Sequence, residues 1–189
     1  KQMLKRIGFP EKKGLYDPSL EKDACGFGFI ADINNVPKHE IVHQALDIVH
    51  KLDHRGAIGA DPLAGDGAGI LIQLPDLFFR NHFSNQKISL PELGFYAVGM
   101  VFLPNDKTRL SLAQKAIEKA ITDEGQVFIG WRDVPTDDSV LGYSVKNNKP
   151  IIKQFFVQRS KACVDENYFQ RKLYVIRKSV HKKIHEGNL

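Results

Sequence analysis

A cysteine in an unusual context is the first candidate for chemistry in this chain. Cys25 follows Ala24 and begins the apolar run CGFGFIADI, which is typical of a short buried strand over residues 25–33. A lone cysteine is most often a buried structural thiol. If the bond between Ala24 and Cys25 is cut, however, the new α-amine, with a pKa of about 8, can act as general base for the neighbouring thiol. One residue then supplies both the nucleophile and its base.

The residues on either side of Cys25 favour this chemistry. Residues 1–24 are polar and interrupted by Pro10, Gly14 and Pro18, which predicts a leader or linker with no regular structure. Gly26 and Gly28 would weaken an ordinary strand, so they predict a close approach by backbone or ligand.

A second cluster of candidate residues is LDHRGAIGADPLAGDGAGI, residues 52–70. Arg55 can hold a carboxylate through a bidentate pair, and the glycines allow backbone amides to face an anion or an oxyanion. Spacing alone favours a simpler interpretation, in which Gly56 ends a helix and Arg55 is a structural or solvated cation.

The elements that must position these residues follow from periodicity and capping signals. An apolar stripe after Pro37 predicts an amphipathic helix that ends near Arg55 and Gly56. Asn105 or Asp106 can cap a second long helix, and Asp165 a third. Further elements are predicted as strands at 70–74, 94–104, 126–134 and 150–159, and as a short helix around Phe78–Phe83. The mixture predicts an α+β layered fold.

Composition limits the function classes. The chain has 189 residues, of which 42% are hydrophobic and 26% charged, which is ordinary for one globular domain. Without a membrane-length apolar run or a secretory h-region, we expect a cytoplasmic or, in a eukaryote, a plastid location. Cys25 and Cys163 make a poor disulfide framework, and Cys163 is interpreted as a structural thiol. The net charge of +5 does not by itself indicate nucleic acid or a membrane as partner.

HEIVH, residues 39–43, offers a rival chemistry because it matches the zincin pattern, with His39 and His43 as zinc ligands and Glu40 as the base. Pro37 places His39 in the first turn of the helix, whereas a zincin needs the motif well inside one, and no third ligand is evident. We therefore expect no metal site here, and a zinc-dependent hydrolase stays the alternative function, together with a folded fragment without catalytic activity.

Taken together, several of these motifs resemble the class II glutamine amidotransferases, and among them the large subunits of glutamate synthases. The family pattern is a leading Cys-Gly followed about thirty residues later by His-Arg-Gly, here CGFGFIA (25–31) and HRGAIGADPLAGDGAGILIQLP (54–75). GLYDPSLEKDACG (14–26) is similar to the family's propeptide junction, and looser similarity continues through GWRDVP (130–135) and FQRKLYVIRK (169–178). The resemblance implies a propeptide at 1–24 and the N-terminal part of a type 2 amidotransferase domain at 25–189.

The resemblance also implies a fold and an activity. The fold is that of N-terminal-nucleophile (Ntn) hydrolases, an αββα four-layer sandwich. Cys25 attacks the side-chain amide of L-glutamine and releases ammonia, while Arg55 and Gly56 shape the glutamine pocket. In the full enzyme the ammonia converts 2-oxoglutarate to glutamate, with FMN, an iron–sulfur cluster and a partner reductase subunit. None of these cofactors is expected to bind this part of the chain.

Two departures from the family pattern predict that residues 1–189 alone have little or no activity. The leader is present, so Cys25 has a peptide nitrogen in place of a free amine. No segment before Leu189 matches the family's downstream Arg, Asn-Gly and Asp motifs, which bind the α-groups of glutamine and form the oxyanion hole.

Overall fold

The computed structural model describes residues 12–14, 26–52, 61, 63–65, 67–84, 86 and 88–185. The described residues belong to two compact units. The first takes residues up to Gly59 together with Gly65–Ile70, and the second takes Ala60–Ala64 and Leu71–Leu189. The elements, in chain order, are α1 (His39–Lys51), α2 (Asp76–Phe83), β1 (Tyr96–Leu103), α3 (Lys107–Asp123), β2 (Val127–Asp133), α4 (Tyr143–Lys146), β3 (Ile151–Gln158) and α5 (Glu166–His185).

The second unit is organised around a three-stranded antiparallel sheet of order β1-β3-β2. β3 is central, since it pairs with β1 from Tyr96↔Gln158 to Leu103↔Ile151 and with β2 on its other edge. The pairing with β2 shifts register between Phe128 and Gly130, which marks a bulge. The three strands predicted at 94–104, 126–134 and 150–159 are confirmed.

One face of the sheet is covered by α3 and α5. Asp106, and not Asn105, caps α3, because its carboxylate accepts a hydrogen bond from the Arg109 amide at 2.8 Å. Asp165 caps α5 through the amide of Tyr168 at 2.6 Å. Both helices bury an apolar stripe against the sheet, in a core formed by Ile117, Ala120, Ile121, Val157, Cys163, Phe169 and Ile176. Ile184, at the end of α5, is 54% exposed, because the helix extends past this core.

The opposite face carries a smaller core that is centred on Phe156. The rings of Phe79 and Phe83, both on α2, meet this ring edge-on with centroids 5.0 Å away. Asp76, at the start of α2, links the helix to β1 by accepting a hydrogen bond from Tyr96 Oη at 2.8 Å, and it also accepts one from Arg80 Nε of the same helix at 2.8 Å. The predicted short helix is therefore confirmed.

Two strand predictions are wrong in the described residues. Residues 26–33 and 70–74 contain no strand. Their apolar side chains are instead exposed, with Phe27 at 87% and Leu71 at 100%. Apolar alternation alone does not make a strand, because the backbone amides and carbonyls also need a neighbouring strand, and no described residue supplies one to either segment.

The first unit contains α1, which begins two residues after Pro37 and confirms the predicted amphipathic helix. Its predicted end near Arg55 and Gly56 lies outside the described residues. No described helix is long and apolar enough to cross a membrane.

Candidate active site

The three predicted site residues, Cys25, Arg55 and Gly56, lie outside the described residues, so their roles remain predictions. Segments adjacent to them in the chain are described. Gly26 directly follows Cys25, and Leu52 precedes Arg55 by three residues. The geometry of these flanking segments is therefore the structural information that bears on the site.

The glycines after Cys25 pack against α1. A Cβ atom at Gly26 would lie 2.8 Å from Leu52 Cδ2, and one at Gly28 would lie 2.6 Å from Ile48 Cγ2. Carbon atoms in contact normally stay about 3.5–4.0 Å apart, so side chains at these positions would push the segment away from the helix. A close approach does occur, but the approaching groups are the side chains of Ile48 on α1 and of Leu52 at its C-cap, and not the backbone or ligand that was predicted. This contact joins the segment that follows Cys25 to the end of the helix that precedes Arg55.

The glycine-rich loop, residues 59–69, is partly described. Gly67 and Gly69 have no atom within 4 Å of the position that a Cβ would take, and neither has a positive φ. Neither packing nor backbone conformation therefore requires glycine there, and a role for their amides in binding an anion stays a prediction.

Asp61 is a residue of this loop that the sequence analysis did not single out. Its side chain is buried, and Oδ2 accepts hydrogen bonds from the amide of Ser144 at 3.1 Å and from Ser144 Oγ at 2.7 Å. Oδ1 accepts a third hydrogen bond from the Leu63 amide at 3.1 Å. The hydroxyl and then the amide of Ser144 lower the pKa of Asp61 from its usual 3.8, so the carboxylate is charged at neutral pH. The sequence offers only a weak signal for Asp61, which is one of two acids in the glycine-rich loop and lies between Ala60 and Pro62.

The rival zinc site gains no support from the described residues. His39 is the first residue of α1, and its ring lies edge-on to that of His43 with centroids 4.6 Å apart. No group of three or more His, Cys, Asp or Glu side chains in the described part of the chain could hold a metal ion. Two histidines without a third ligand do not make a catalytic zinc site.

Cys163, the other cysteine, is buried in the core between the sheet and its two helices. Its sulfur lies 3.7 Å from the carbonyl oxygen of Asp165. The thiol therefore has the surroundings of the structural cysteine that the sequence analysis predicted.

Comparison with known proteins agrees with the motifs. The model of the class-II glutamine amidotransferases matches residues 25–188. The chain is 44% identical over 169 residues to the NADPH glutamate synthase large chain of Bacillus subtilis, covering 89% of this chain and 11% of that protein. It is 42% identical over 164 residues to the ferredoxin-dependent glutamate synthase of Pyropia yezoensis, covering 87% and 10%.

A third relative is the NADH glutamate synthase of Saccharomyces cerevisiae, which is 36% identical over 184 residues, covering 93% of this chain and 8% of that protein. The chain thus spans about a tenth of the length of the relatives it matches. Because the family model covers most of the chain, the protein belongs to the class-II glutamine amidotransferases.

Proposed function

We propose that this chain is the start of the glutaminase domain of a glutamate synthase, with Cys25 as the nucleophile after removal of residues 1–24. The sulfur of Cys25 attacks the side-chain amide carbon of L-glutamine and forms a C–S bond. The α-amine of the same residue passes the thiol proton to the departing nitrogen, the C–N bond breaks, and ammonia leaves. Water then hydrolyses the thioester, which releases glutamate and restores the thiol.

The observation that carries this proposal is the packing of Gly26 and Gly28 on α1. An N-terminal nucleophile has to be held in place although its chain has just been cut, and a chain end is otherwise poorly ordered. The close contacts with Leu52 and Ile48 hold the residues that follow Cys25. In the same proposal, Arg55 and Gly56 contribute to the glutamine pocket, with Arg55 offering a bidentate partner to a carboxylate.

The finer fold is also proposed, as the four-layer sandwich of Ntn hydrolases. The layer formed by α3 and α5 covers one face of the sheet. On the other face Tyr96 is buried, whereas Met100 and Phe102, farther along the same side of β1, are 54% and 66% exposed. An apolar face that is open at one end supports the packing of a second sheet there in the complete domain.

The rest of the reaction is assigned to the longer protein. The names of the relatives support a glutamate synthase, in which ammonia would convert 2-oxoglutarate to glutamate with FMN and an iron–sulfur cluster. The partners of this chain would then be the remainder of the large subunit and a reductase subunit. No described residue is assigned to either cofactor.

The test is intact-mass analysis of the full-length protein after reaction with a glutamine-analogue diazo-ketone. We expect a chain that begins at Cys25 and carries one adduct on that residue. Cys25→Ala should lose the adduct and the glutaminase activity, while Cys163→Ala, a matched control at the other cysteine, should keep both. Labelling that survives in Cys25→Ala would sink the proposal. If the processed wild type did not hydrolyse glutamine, the alternative of a folded protein without catalytic activity would be favoured.

A further inference from the structure

Two arginines of the second unit differ in how their charges are satisfied. Arg80 on α2 has a carboxylate partner, because its Nε donates to Asp76 at 2.8 Å. Arg132 on β2 is 9% exposed, and only a neutral group accepts from its guanidinium among the described residues. That group is the side-chain oxygen of Gln154, at 2.8 Å from Nη1. The Nε of Arg132 is buried and has no hydrogen-bond partner among these residues.

The two pKa values show the same difference. The Asp76 carboxylate raises the pKa of Arg80, whereas burial lowers the pKa of Arg132, with no described acid to offset the effect. Asp133, the residue next to Arg132, is paired with Lys153. Burial of a cation is costly unless a charged partner and hydrogen bonds accompany it. The guanidinium of Arg132 therefore lacks the carboxylate that would compensate its burial.

The surface around Arg132 is apolar and open. Met100, Gln154 and Arg132 lie side by side across the three strands, and Phe102 follows Met100 on the same side of β1. Met100 and Phe102 are exposed. The ring of Phe78, itself half-exposed, lies over the guanidinium with its centroid 5.2 Å from Cζ. We call Met100, Phe102, Gln154 and Arg132 the open face.

We propose that the open face is the docking surface for a strand of the second sheet, in the longer polypeptide, that places an Asp or Glu carboxylate on the Arg132 guanidinium. This inference rests on the proposed function, which makes this chain the start of a longer glutaminase domain. The apolar side chains supply the area for sheet packing, and the unpaired cation selects a carboxylate. Because a carboxylate can accept from two guanidinium nitrogens at once, the pair also fixes the position of the docked strand.

The charge of the open face favours this occupant over a second copy of the chain. None of the four residues of the open face is acidic, so two copies docked face to face would bring two arginines and no carboxylate to the contact. The half-exposed ring of Phe78 is free to change rotamer as the strand packs, which opens the guanidinium to its partner.

The experiment is cross-linking of the full-length protein with a carbodiimide, which joins an amine to a carboxylate in contact with it. Arg132→Lys provides the amine and keeps the positive charge. We expect peptide mass analysis to find a new bond between this amine and an Asp or Glu beyond residue 189. Arg132→Met, which has no amine, should lack the bond. Lys172 and Glu124, whose charged atoms lie 2.9 Å apart, are the positive control and should be joined in every variant.

A second variant carries the test if Arg132→Lys does not fold. Gln154→Glu adds a carboxylate within reach of Nη1. If the docked strand already supplies an acid, the two carboxylates repel each other, and the unfolding temperature of the domain, followed by calorimetry of the full-length protein, should fall by about 2–4 °C. If no acid docks there, the added carboxylate neutralises Arg132 and the temperature should rise, which would overturn the proposal.

Each other result of the cross-linking also decides. A bond from the introduced amine to a carboxylate within residues 1–189 of the same chain overturns the proposal, and so does a bond to a second copy, seen as a cross-linked dimer. The absence of any new bond, while Lys172 and Glu124 are joined, overturns it as well. The bond is detected without glutaminase activity. A protein that is labelled at Cys25 but lacks the bond keeps the proposed function, whereas one that forms the bond without labelling keeps only the docking surface.

Discussion

Gly99 in β1 offers a direct test of the core between the sheet and its two long helices. Its partner across the ladder is Phe155, whose ring lies over the glycine. A Cβ at position 99 would meet ring carbons at 2.2, 2.3 and 2.8 Å. Since carbon atoms in contact normally lie about 3.5–4.0 Å apart, Gly99→Ala forces the ring to retreat by about 1 Å or more. The ring also packs on Trp131, with centroids 5.6 Å apart, so its retreat disturbs the core.

The expected cost follows from two opposing terms. Overpacking of this kind costs about 1–3 kcal/mol, whereas replacing glycine by alanine inside a strand gains about 0.5–1 kcal/mol. We therefore expect Gly99→Ala to lower the free energy of unfolding by about 1–2 kcal/mol.

The assay is urea unfolding followed by the fluorescence of Trp131, the single tryptophan of the chain. The control is the same substitution in a Phe155→Leu background, where the ring is absent and Gly99→Ala should be neutral or stabilising. A Gly99→Ala protein that is as stable as wild type, with unchanged tryptophan emission, would refute the described packing of Phe155 on the glycine.

Three further predictions concern polar groups of the second unit. The Arg80 guanidinium, and to a lesser degree the Tyr96 hydroxyl, lower the pKa of Asp76 from its usual 3.8. The contribution of Asp76 to stability is therefore present above about pH 4 and is lost as pH falls through the lowered pKa. The difference in free energy of unfolding between wild type and Asp76→Asn, measured by urea unfolding, should vanish in acid, and a difference independent of pH would contradict this. Trp131→Phe removes the 2.7 Å hydrogen bond from the indole to Glu118 and should cost about 1 kcal/mol in unfolding followed by circular dichroism, whereas Glu118→Gln should cost less. Arg132 is 9% exposed, and its Nε has no hydrogen-bond partner among the described residues. Arg132→Met should therefore lower the free energy of unfolding of this chain by less than about 1 kcal/mol. A decrease above about 2 kcal/mol would indicate an acceptor for Nε.

Elements that carry their own local signals could be predicted from the sequence. Helix α3 has a capping acid, an apolar stripe at helical spacing and an end at Gly125, and these signals act within one or two turns. β1 and β3 are apolar runs bounded by turn residues, a pattern that predicts strands. The segments at 26–33 and 70–74 carry similar apolar runs but form no strand, because strand formation also depends on a pairing partner elsewhere in the chain.

The candidate site could also be predicted in part from the sequence. The types and spacing of Cys25, Arg55 and Gly56 indicate the chemistry, because an N-terminal thiol and a carboxylate-binding arginine are properties of the residues themselves. Their predicted roles await the labelling experiment.

The sequence by itself determined the family, the amphipathic helices and the candidate nucleophile, since each is written in short stretches of chain. Only the tertiary structure decided which distant residues meet. It joined Gly26 to Leu52, and it placed Asp61 where Gly142 leaves room for it. No local pattern encodes such a contact, because a carboxylate can cap a helix 83 residues away only after the intervening chain has folded and brought the two together.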